Sequence, residues 1–350
     1  MRTSFSLSAL LLTALLPLVF IPCVANAGIP GAQPRSLFEW IEQPETLEVV
    51  LETDLRALLS DKNDEFLPAT FSFKDAMGQE QRLATGIKPR GKFRRRVCDF
   101  PPLKLKFEDE ELVQRGLLPF GSLKVVTHCL ANVNGSMDNL LREYLAYELY
   151  QQMTPMSYRV KLAQITYMDA KKREKPITRM AFFIEPTEEM AYRLEGEEVE
   201  DFGISIEKLE PRNSAEMRIF QYFIGNTDWS INTLHNVKLI RHTESGDLLA
   251  VPYDFDFAGW VDPIYAIPNP NIGQTDIRDR YFFGEPPSLD AWNACYSRLE
   301  YIRPSLEARI QGLEGLSNGA KRDMMRYVDS FFQRDSKQLV KRIQGDLEGA

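Results

Sequence analysis

Three stretches between residues 47 and 107 alternate apolar and polar side chains, and they limit the fold more than any other feature of the 350 residues. They cover residues 47–51, 69–73 and 103–107. Side chains of a β-strand point alternately to its two faces, so each stretch predicts a strand with one face on a core. Residues 54–60 predict a short helix. The first part of the chain is therefore predicted to be rich in strands.

The rest of the chain mixes strands and helices. A helix is predicted over 138–153, with Asp138 as its N-cap. Glu148 falls inside the apolar stripe of that helix, where a carboxylate must find a cation or reach water at the edge. A capping box at Asn213 predicts a second helix, which ends at Gly225. The other predicted elements are strands over 122–127, 160–167, 177–184, 235–241 and 248–257, an acidic loop over 195–201, and amphipathic helices near 298–313 and 320–343.

The first 27 residues have the pattern of an export signal. Arg2 precedes an apolar run over 7–22 that is short and broken by proline, and Ala-Asn-Ala at 25–27 is a cleavage motif. We therefore predict that residues 1–27 are a signal peptide and that the mature protein is periplasmic or extracellular. No later segment approaches the roughly 20 apolar residues of a membrane span.

Charge and motifs exclude several functions. The net charge of -8 argues against a general nucleic-acid binder. The three histidines are not spaced as zinc ligands, and the sequence contains no G-x-S-x-G, Walker A or G-x-G-x-x-G motif.

An oxidising compartment permits one disulfide in the mature chain, and we predict Cys98 with Cys129 because both lie in the N-terminal half. Cys295 is then a free thiol.

The segment over 252–259 carries the strongest chemical signal. Strand alternation places Asp254 and Asp256 on one face, with side chains roughly 7 Å apart. Two carboxylates at that separation repel each other unless a cation lies between them, and Mg²⁺ prefers such oxygen ligands. The alternative is a solvated acidic strand end.

Asp228 follows the predicted helix end at Gly225 within a turn, and Asn236 lies eight residues later. Phosphoryl transfer needs an Asp that accepts a hydroxyl proton, with an Asn and a second Asp that hold metal. The alternative for Asp228 is a helix-terminating Asx turn.

Basic residues concentrate over 90–96, just before the strand that carries Lys104 and Lys106. Cations beside a glycine and next to a strand suit nucleotide phosphates or an acidic partner. The alternative is a solvated charge run.

Taken in order, these pieces resemble the spore-coat kinase family, the CotH proteins, an atypical branch of the protein-kinase-like fold. The matching residues lie between positions 90 and 259. They are Arg90-Gly91, the strand over 103–107, Asp138 with Arg142, the strand end over 182–185, Asn226 to Asp228 with Asn236, and the segment over 252–259. The chain departs from the family at Lys92-Phe93-Arg94, where members carry Asn-Ser-Ser.

The resemblance implies an α+β, bilobal protein-kinase-like fold. A β-rich N-terminal lobe with one central helix would cover 28–185, and a mostly helical C-terminal lobe with the catalytic hairpin would cover 186–350. Asp228 would be the catalytic carboxylate, Asp254 the main metal ligand, and Asp256 and Asn236 its helpers.

The resemblance also implies the cofactors ATP and Mg²⁺ or Mn²⁺. Arg90, Lys104 and Lys106 would contact the nucleotide. Glu148 would pair with Lys104 or Lys106, and Glu185 would lie at the hinge between the lobes.

Two functions remain open from the sequence. The first is an exported kinase that transfers the γ-phosphoryl group of ATP to Ser or Thr of a protein in the envelope or outside the cell. The second is a nucleotide- or partner-binding pseudokinase, or an envelope structural protein. A small-molecule phosphotransferase is a further alternative.

Overall fold

The computed structural model describes residues 34–44, 46–60, 64–91, 93–130 and 135–348, without the side chains of 346–348. The predicted signal peptide lies outside these residues. No helix within the described part of the chain is both long enough and apolar enough to cross a membrane.

Seven strands close into a barrel in the order β1-β2-β3-β4-β5-β7-β6. Neighbours are antiparallel except β1 and β6, which are parallel. The strands are β1 (Leu47–Thr53), β2 (Leu67–Lys74), β3 (Glu80–Pro89), β4 (Leu103–Lys106), β5 (Ser122–Val126), β6 (Val160–Asp169) and β7 (Ile177–Ile184). The barrel encloses a hydrophobic core that includes Leu51, Phe71, Leu105 and Phe183. The six strands predicted in this region are confirmed, but β3 was missed.

Strand β3 escaped prediction because its inward face is partly polar. Thr85 points into the barrel between Leu83 and Ile87 and donates a hydrogen bond to the carbonyl of Lys106 at 3.0 Å. Gly86 faces outward, and a Cβ there would lie 3.0 Å from the Cβ of Phe66. An apolar-polar alternation is therefore interrupted at two successive positions.

A second sheet of three strands has the order β10-β9-β8. Its strands are β8 (Gly196–Val199), β9 (Val237–His242) and β10 (Leu248–Pro252). The prediction of a plain acidic loop over 195–201 is wrong, because β8 pairs with β9 there. The prediction of a strand up to residue 257 is also wrong, because β10 ends at Pro252.

Ten α-helices surround these sheets within the described residues. They are α1 (Leu37–Ile41), α2 (Leu55–Leu59), α3 (Arg94–Val97), α4 (Asp109–Gln114), α5 (Ser136–Met153), α6 (Thr187–Arg193), α7 (Pro211–Ile224), α8 (Leu289–Gly312), α9 (Asn318–Ser330) and α10 (Ser336–Glu348). A second hydrophobic core joins α5, α7, α8 and the three-stranded sheet. The mixed α+β content predicted from the sequence is confirmed.

Two predicted helix caps are wrong. Gly135 precedes α5 with a φ of 92°, and the carboxylate of Asp138 instead accepts hydrogen bonds from the backbone N–H and hydroxyl of Ser317. Glu210 caps α7, because its carboxylate accepts from the N–H of Asn213. The Asn213 side chain instead bonds both backbone groups of Ala250, which fastens α7 to β10.

The predicted disulfide between Cys98 and Cys129 is confirmed, with a Cα–Cα distance of 4.5 Å. Phe100 pairs with Cys129 through a backbone bridge and strengthens the same link. Cys295 is free and buried. The disulfide therefore fastens the segment just after α3 to the segment that leads into α5.

Two glycines bring the end of α7 against the segment that follows β10. Gly225 ends α7 with a φ of 63°, and its carbonyl accepts a hydrogen bond from the N–H of Gly259 at 3.1 Å. A Cβ at Gly259 would lie 2.6 Å from the carbonyl oxygen of Ile277, so only glycine fits that close approach. This contact sets the turn that carries Asp228 near the segment that carries Asp254 and Asp256.

Candidate functional site

Four charged side chains from three parts of the chain form a buried cluster, which we call the Arg94 cluster. Its members are Arg94, Glu143, Asp254 and Asp256. The Nε of Arg94 donates to Asp256 Oδ2 at 2.8 Å, and its Nη2 lies 3.1 Å from Asp254 Oδ1 and 3.2 Å from Glu143 Oε2. One guanidinium therefore neutralises carboxylates from α5 and from the segment after β10.

The cluster is largely closed to water. Relative exposures of the side chains are 9% for Arg94, 3% for Glu143 and 5% for Asp256, whereas Asp254 is 35% exposed. Burial raises the pKa of Glu143 to about 8, opposed by Arg94 and reinforced by Asp256. Burial also raises the pKa of Asp256 to about 6, again opposed by Arg94. Three carboxylates thus share one cation, and Oε1 of Glu143 has no hydrogen-bond partner.

The segment after β10 is held by α5 rather than by a strand ladder. Asp254 has a φ of 61°, and its N–H donates to the hydroxyl of Tyr147 at 2.8 Å. The Tyr147 ring packs on the buried Phe255, with ring centroids 4.6 Å apart. The strand alternation expected for Asp254 and Asp256 is therefore wrong, although both aspartates do turn toward the same cation.

Asp228 and Asn236 meet in a separate arrangement. The Nδ2 of Asn236 donates to Oδ2 of Asp228 at 3.0 Å and to its carbonyl at 2.8 Å. Nε2 of His235 lies 2.8 Å from Oδ1 of Asp228. The Asx turn at this helix end is made by Asn226, whose Oδ1 accepts from the N–H of Asp228. The Asp228 side chain is thereby oriented and remains 40% exposed.

These contacts do not fit a divalent ion held by Asp228, Asp254 and Asp256 together. The two later aspartates each give an oxygen to Arg94, and Asp228 binds Asn236 and His235. Within the described residues, no group of three or more His, Cys, Asp or Glu side chains could hold a metal ion. The guanidinium of Arg94 lies where a divalent ion was predicted between Asp254 and Asp256.

A row of lysines crosses three neighbouring strands of the barrel. Lys88 on β3 stands opposite Lys104 on β4, and Lys104 stands opposite Lys124 on β5. Directly opposed residues share a face, so we call these three residues the lysine row. Lys88 has a carboxylate nearby, since its Nζ lies 3.7 Å from Asp64. In the described chain, neither Lys104 nor Lys124 has a carboxylate within ion-pair distance.

Lys124 connects the lysine row to the Arg94 cluster. Its Nζ lies 5.2 Å from the ring centroid of Tyr253, the residue before Asp254, and 5.7 Å from that of Tyr158. Burial lowers the pKa of Lys124 to about 8, and the positive charges of Arg90 and Lys238 act in the same direction. Like charges opposite each other on neighbouring strands are destabilising, so this face favours a bound anion.

The lowered pKa of Lys124 predicts a measurable pH effect on stability. Between pH 8 and 10.5 Lys124 holds a proton in the unfolded chain that it has lost in the folded protein. The contribution of Lys124 to the free energy of unfolding should therefore increase as the pH rises. The gain should be absent in Lys124→Met. We expect the stability difference between the two proteins to change with pH in urea unfolding measured from pH 7 to 10. A constant difference across that range contradicts the prediction.

The predicted nucleotide-contacting residues divide into two groups. Lys104 belongs to the lysine row, Lys106 is exposed two residues further along β4, and Arg90 lies close enough to Lys124 to lower its pKa. Glu148 instead pairs with Arg309 at 2.8 Å, so the predicted pairing with Lys104 or Lys106 is wrong.

Glu185 lies between the end of β7 and α6 and is fully buried. Its carboxylate pairs with Arg159 at 2.9 Å and with Arg193 at 2.8 Å. Because both guanidiniums bind this carboxylate, Glu185 links the start of β6, the end of β7 and α6.

Sequence reasoning missed Arg94, Lys124 and Glu143. Lys124 was detectable, because it lies in a correctly predicted strand between the apolar Leu123 and Val125. Arg94 carried no local sign of burial in the sequence, since it stands within a run of basic residues.

Comparisons with known proteins place few limits on the chain. No family model matches it, and no curated protein matches it. The crystal structure of a proinflammatory kinase, CtkA of Helicobacter pylori, is similar over 73% of this chain and 94% of that chain, at 14% identity and a TM-score of 0.41. A similarity at this TM-score decides neither the fold nor the activity, and membership of the spore-coat kinase family stays a prediction.

Proposed function

We propose that this protein binds the phosphates of a nucleotide such as ATP on the lysine row, as a pseudokinase of the cell envelope or the extracellular space. The observation that carries the proposal is the row itself. Lys104 and Lys124 stand opposite each other on neighbouring strands, and among the described residues neither has a carboxylate within ion-pair distance. A phosphate chain supplies several negative charges within reach of lysines on neighbouring strands, which lie about 4.8 Å apart.

The position of the row supports a nucleotide rather than a single ion. Arg90 and Lys238 add positive charge near Lys124, and the Tyr158 and Tyr253 rings line its surroundings. Lys88 extends the charged face to a third strand. A ligand with several phosphates and an aromatic base can use the whole face, whereas inorganic phosphate would use one end.

The bilobal kinase-like fold is part of this proposal. The barrel with its own core would belong to the first lobe, over 28–185, and α7, α8 and the three-stranded sheet would belong to the second lobe, over 186–350. Helix α5 of the first lobe would pack into the core of the second. The Arg94 cluster favours binding over transfer, because metal-assisted phosphoryl transfer needs the carboxylates that Arg94 holds.

A second candidate function is the kinase itself, with Mg²⁺ or Mn²⁺ and a Ser or Thr acceptor in an exported protein. The observation that favours it is Asp228, which is oriented by Asn236 and His235 and is exposed enough to accept a hydroxyl proton.

Thermal unfolding with ATP tests the proposal. We expect ATP at 100 times its dissociation constant to stabilise the wild type by about 2.7 kcal/mol. Lys124→Met should lose most of this gain because the end of the row next to Tyr253 loses its charge. Lys74→Met, an exposed lysine on β2 of the same barrel, should keep it.

Transfer of labelled phosphate separates the two candidates. Incorporation into protein that is lost in Asp228→Ala would establish the kinase. Stabilisation by ATP without incorporation supports the pseudokinase. Absence of both in a folded wild type rules out nucleotide binding.

A further inference from the structure

We propose that Arg94 is the resident cation of the pocket formed by Glu143, Asp254 and Asp256, and that it excludes a divalent metal ion which these carboxylates would otherwise bind. The inference requires no nucleotide, so it stands or falls separately from the proposed function. It gives a role to Arg94 within the basic stretch over 90–96, in which Arg94 is buried whereas Arg95 and Arg96 are not.

The geometry around the guanidinium resembles a ligand shell. Three oxygens, one from each carboxylate, approach the same edge of Arg94 at 2.8, 3.1 and 3.2 Å. Oxygens of separate carboxylates are the ligands that Mg²⁺ and Mn²⁺ prefer. Arg94 keeps these oxygens around its own nitrogens, so they do not close on a single ion.

The charges leave a deficit that a divalent ion in place of Arg94 would reduce. Three carboxylates surround one guanidinium, and two of them, Glu143 and Asp256, are at most 5% exposed, so water screens their charges little. Oε1 of Glu143 is buried without any partner. Removal of Arg94 would leave a pocket with three acidic groups, two of them buried, and no cation.

The fold keeps Arg94 in place. Arg94 begins α3, and Cys98, the residue after α3, is joined to Cys129 by the disulfide. Glu143 lies on α5, which also binds the N–H of Asp254 through Tyr147. A metal ion would have to displace a side chain whose segment is covalently fastened, so dissolved Mg²⁺ or Mn²⁺ is not expected to enter the wild-type pocket.

Mn²⁺ binding to the full mature chain tests the inference, with electron paramagnetic resonance of free Mn²⁺ as the readout. The wild type should show no saturable site at millimolar Mn²⁺. Arg94→Gln should bind one equivalent, with a dissociation constant at least about tenfold below the highest Mn²⁺ concentration at which the wild type shows no site. The double variant Arg94→Gln/Asp256→Asn should lose that site.

Arg95→Gln is the matched control, because Arg95 is the neighbouring residue and pairs with the exposed Asp64. It should behave like the wild type. If Arg94→Gln does not fold, Arg94→Met carries the same test, since it removes the cation, keeps an unbranched side chain and leaves all three carboxylates in place.

Two results would overturn the inference. One is a wild type that binds one equivalent of Mn²⁺ and loses it in Asp254→Asn. The other is a folded Arg94→Gln variant, shown by its circular dichroism, that binds Mn²⁺ no better than the wild type does.

Discussion

Arg94→Ala is expected to lower the free energy of unfolding by about 3–5 kcal/mol, the usual cost of removing one partner from a buried ion pair. Arg94 is the only cation within ion-pair distance of Glu143 and Asp256 in the described chain, and both carboxylates are at most 5% exposed. Without it, two or three carboxyl groups must take up protons or remain charged in a dry pocket. Urea unfolding at pH 7.5 measures the loss.

Arg95→Ala provides the control on the same short helix. Its partner Asp64 is 78% exposed, so the loss should stay below about 1 kcal/mol. A loss of that size for Arg94→Ala as well would mean that the buried pairs contribute little to stability.

A pH signature distinguishes this cause from a simple packing defect. The pKa values of Glu143 and Asp256 are already raised to about 8 and about 6 with Arg94 in place, and its removal raises them further. The folded variant then holds protons that the unfolded chain releases, so its stability should fall as pH rises from about 5 to 8. The deficit of Arg94→Ala relative to the wild type should therefore shrink in acid.

Local patterns were sufficient for much of the fold. The hairpin of β6 and β7, the helix α5 and the close of α7 at Gly225 all follow from alternation, helical spacing or a left-handed terminal glycine. Strand β8 did not, because its sequence Gly-Glu-Glu-Val is acidic and only β9 makes it a strand. Pairing with a strand that is distant in sequence produces no local pattern in such a segment.

In the candidate site too, contacts between residues close in sequence were predictable, and contacts between distant residues were not. Asp228 and Asn236 lie eight residues apart across a turn, and their hydrogen bond forms within that short span. The partner of Asp256 lies 162 residues away, and nothing near Arg94 indicates burial. The apolar stripe predicted for α5 singled out Glu148. In the structure α5 is buried on most of its circumference, and Glu143 is more deeply buried than Glu148.

Loss of the disulfide is expected to be the second large effect. The bond closes a loop of 31 residues, for which the chain-entropy estimate is about 3.7 kcal/mol. Cys98→Ser/Cys129→Ser should lose about that much free energy of unfolding, and the wild type in reductant should fall to the same value. Cys295→Ala keeps the bond, so its stability should still drop when reductant is added.

The same variant tests whether the disulfide holds Arg94 in its pocket. Because Cys98 directly follows α3, the freed segment should let Arg94 leave the carboxylates more easily, and the two losses should overlap. Arg94→Ala combined with Cys98→Ser/Cys129→Ser should then cost less than the sum of the separate losses by at least about 0.5 kcal/mol, the scale at which neighbouring sites couple. Strict additivity would mean that the Arg94 cluster keeps its geometry without the covalent link, and that the three carboxylates alone position the guanidinium.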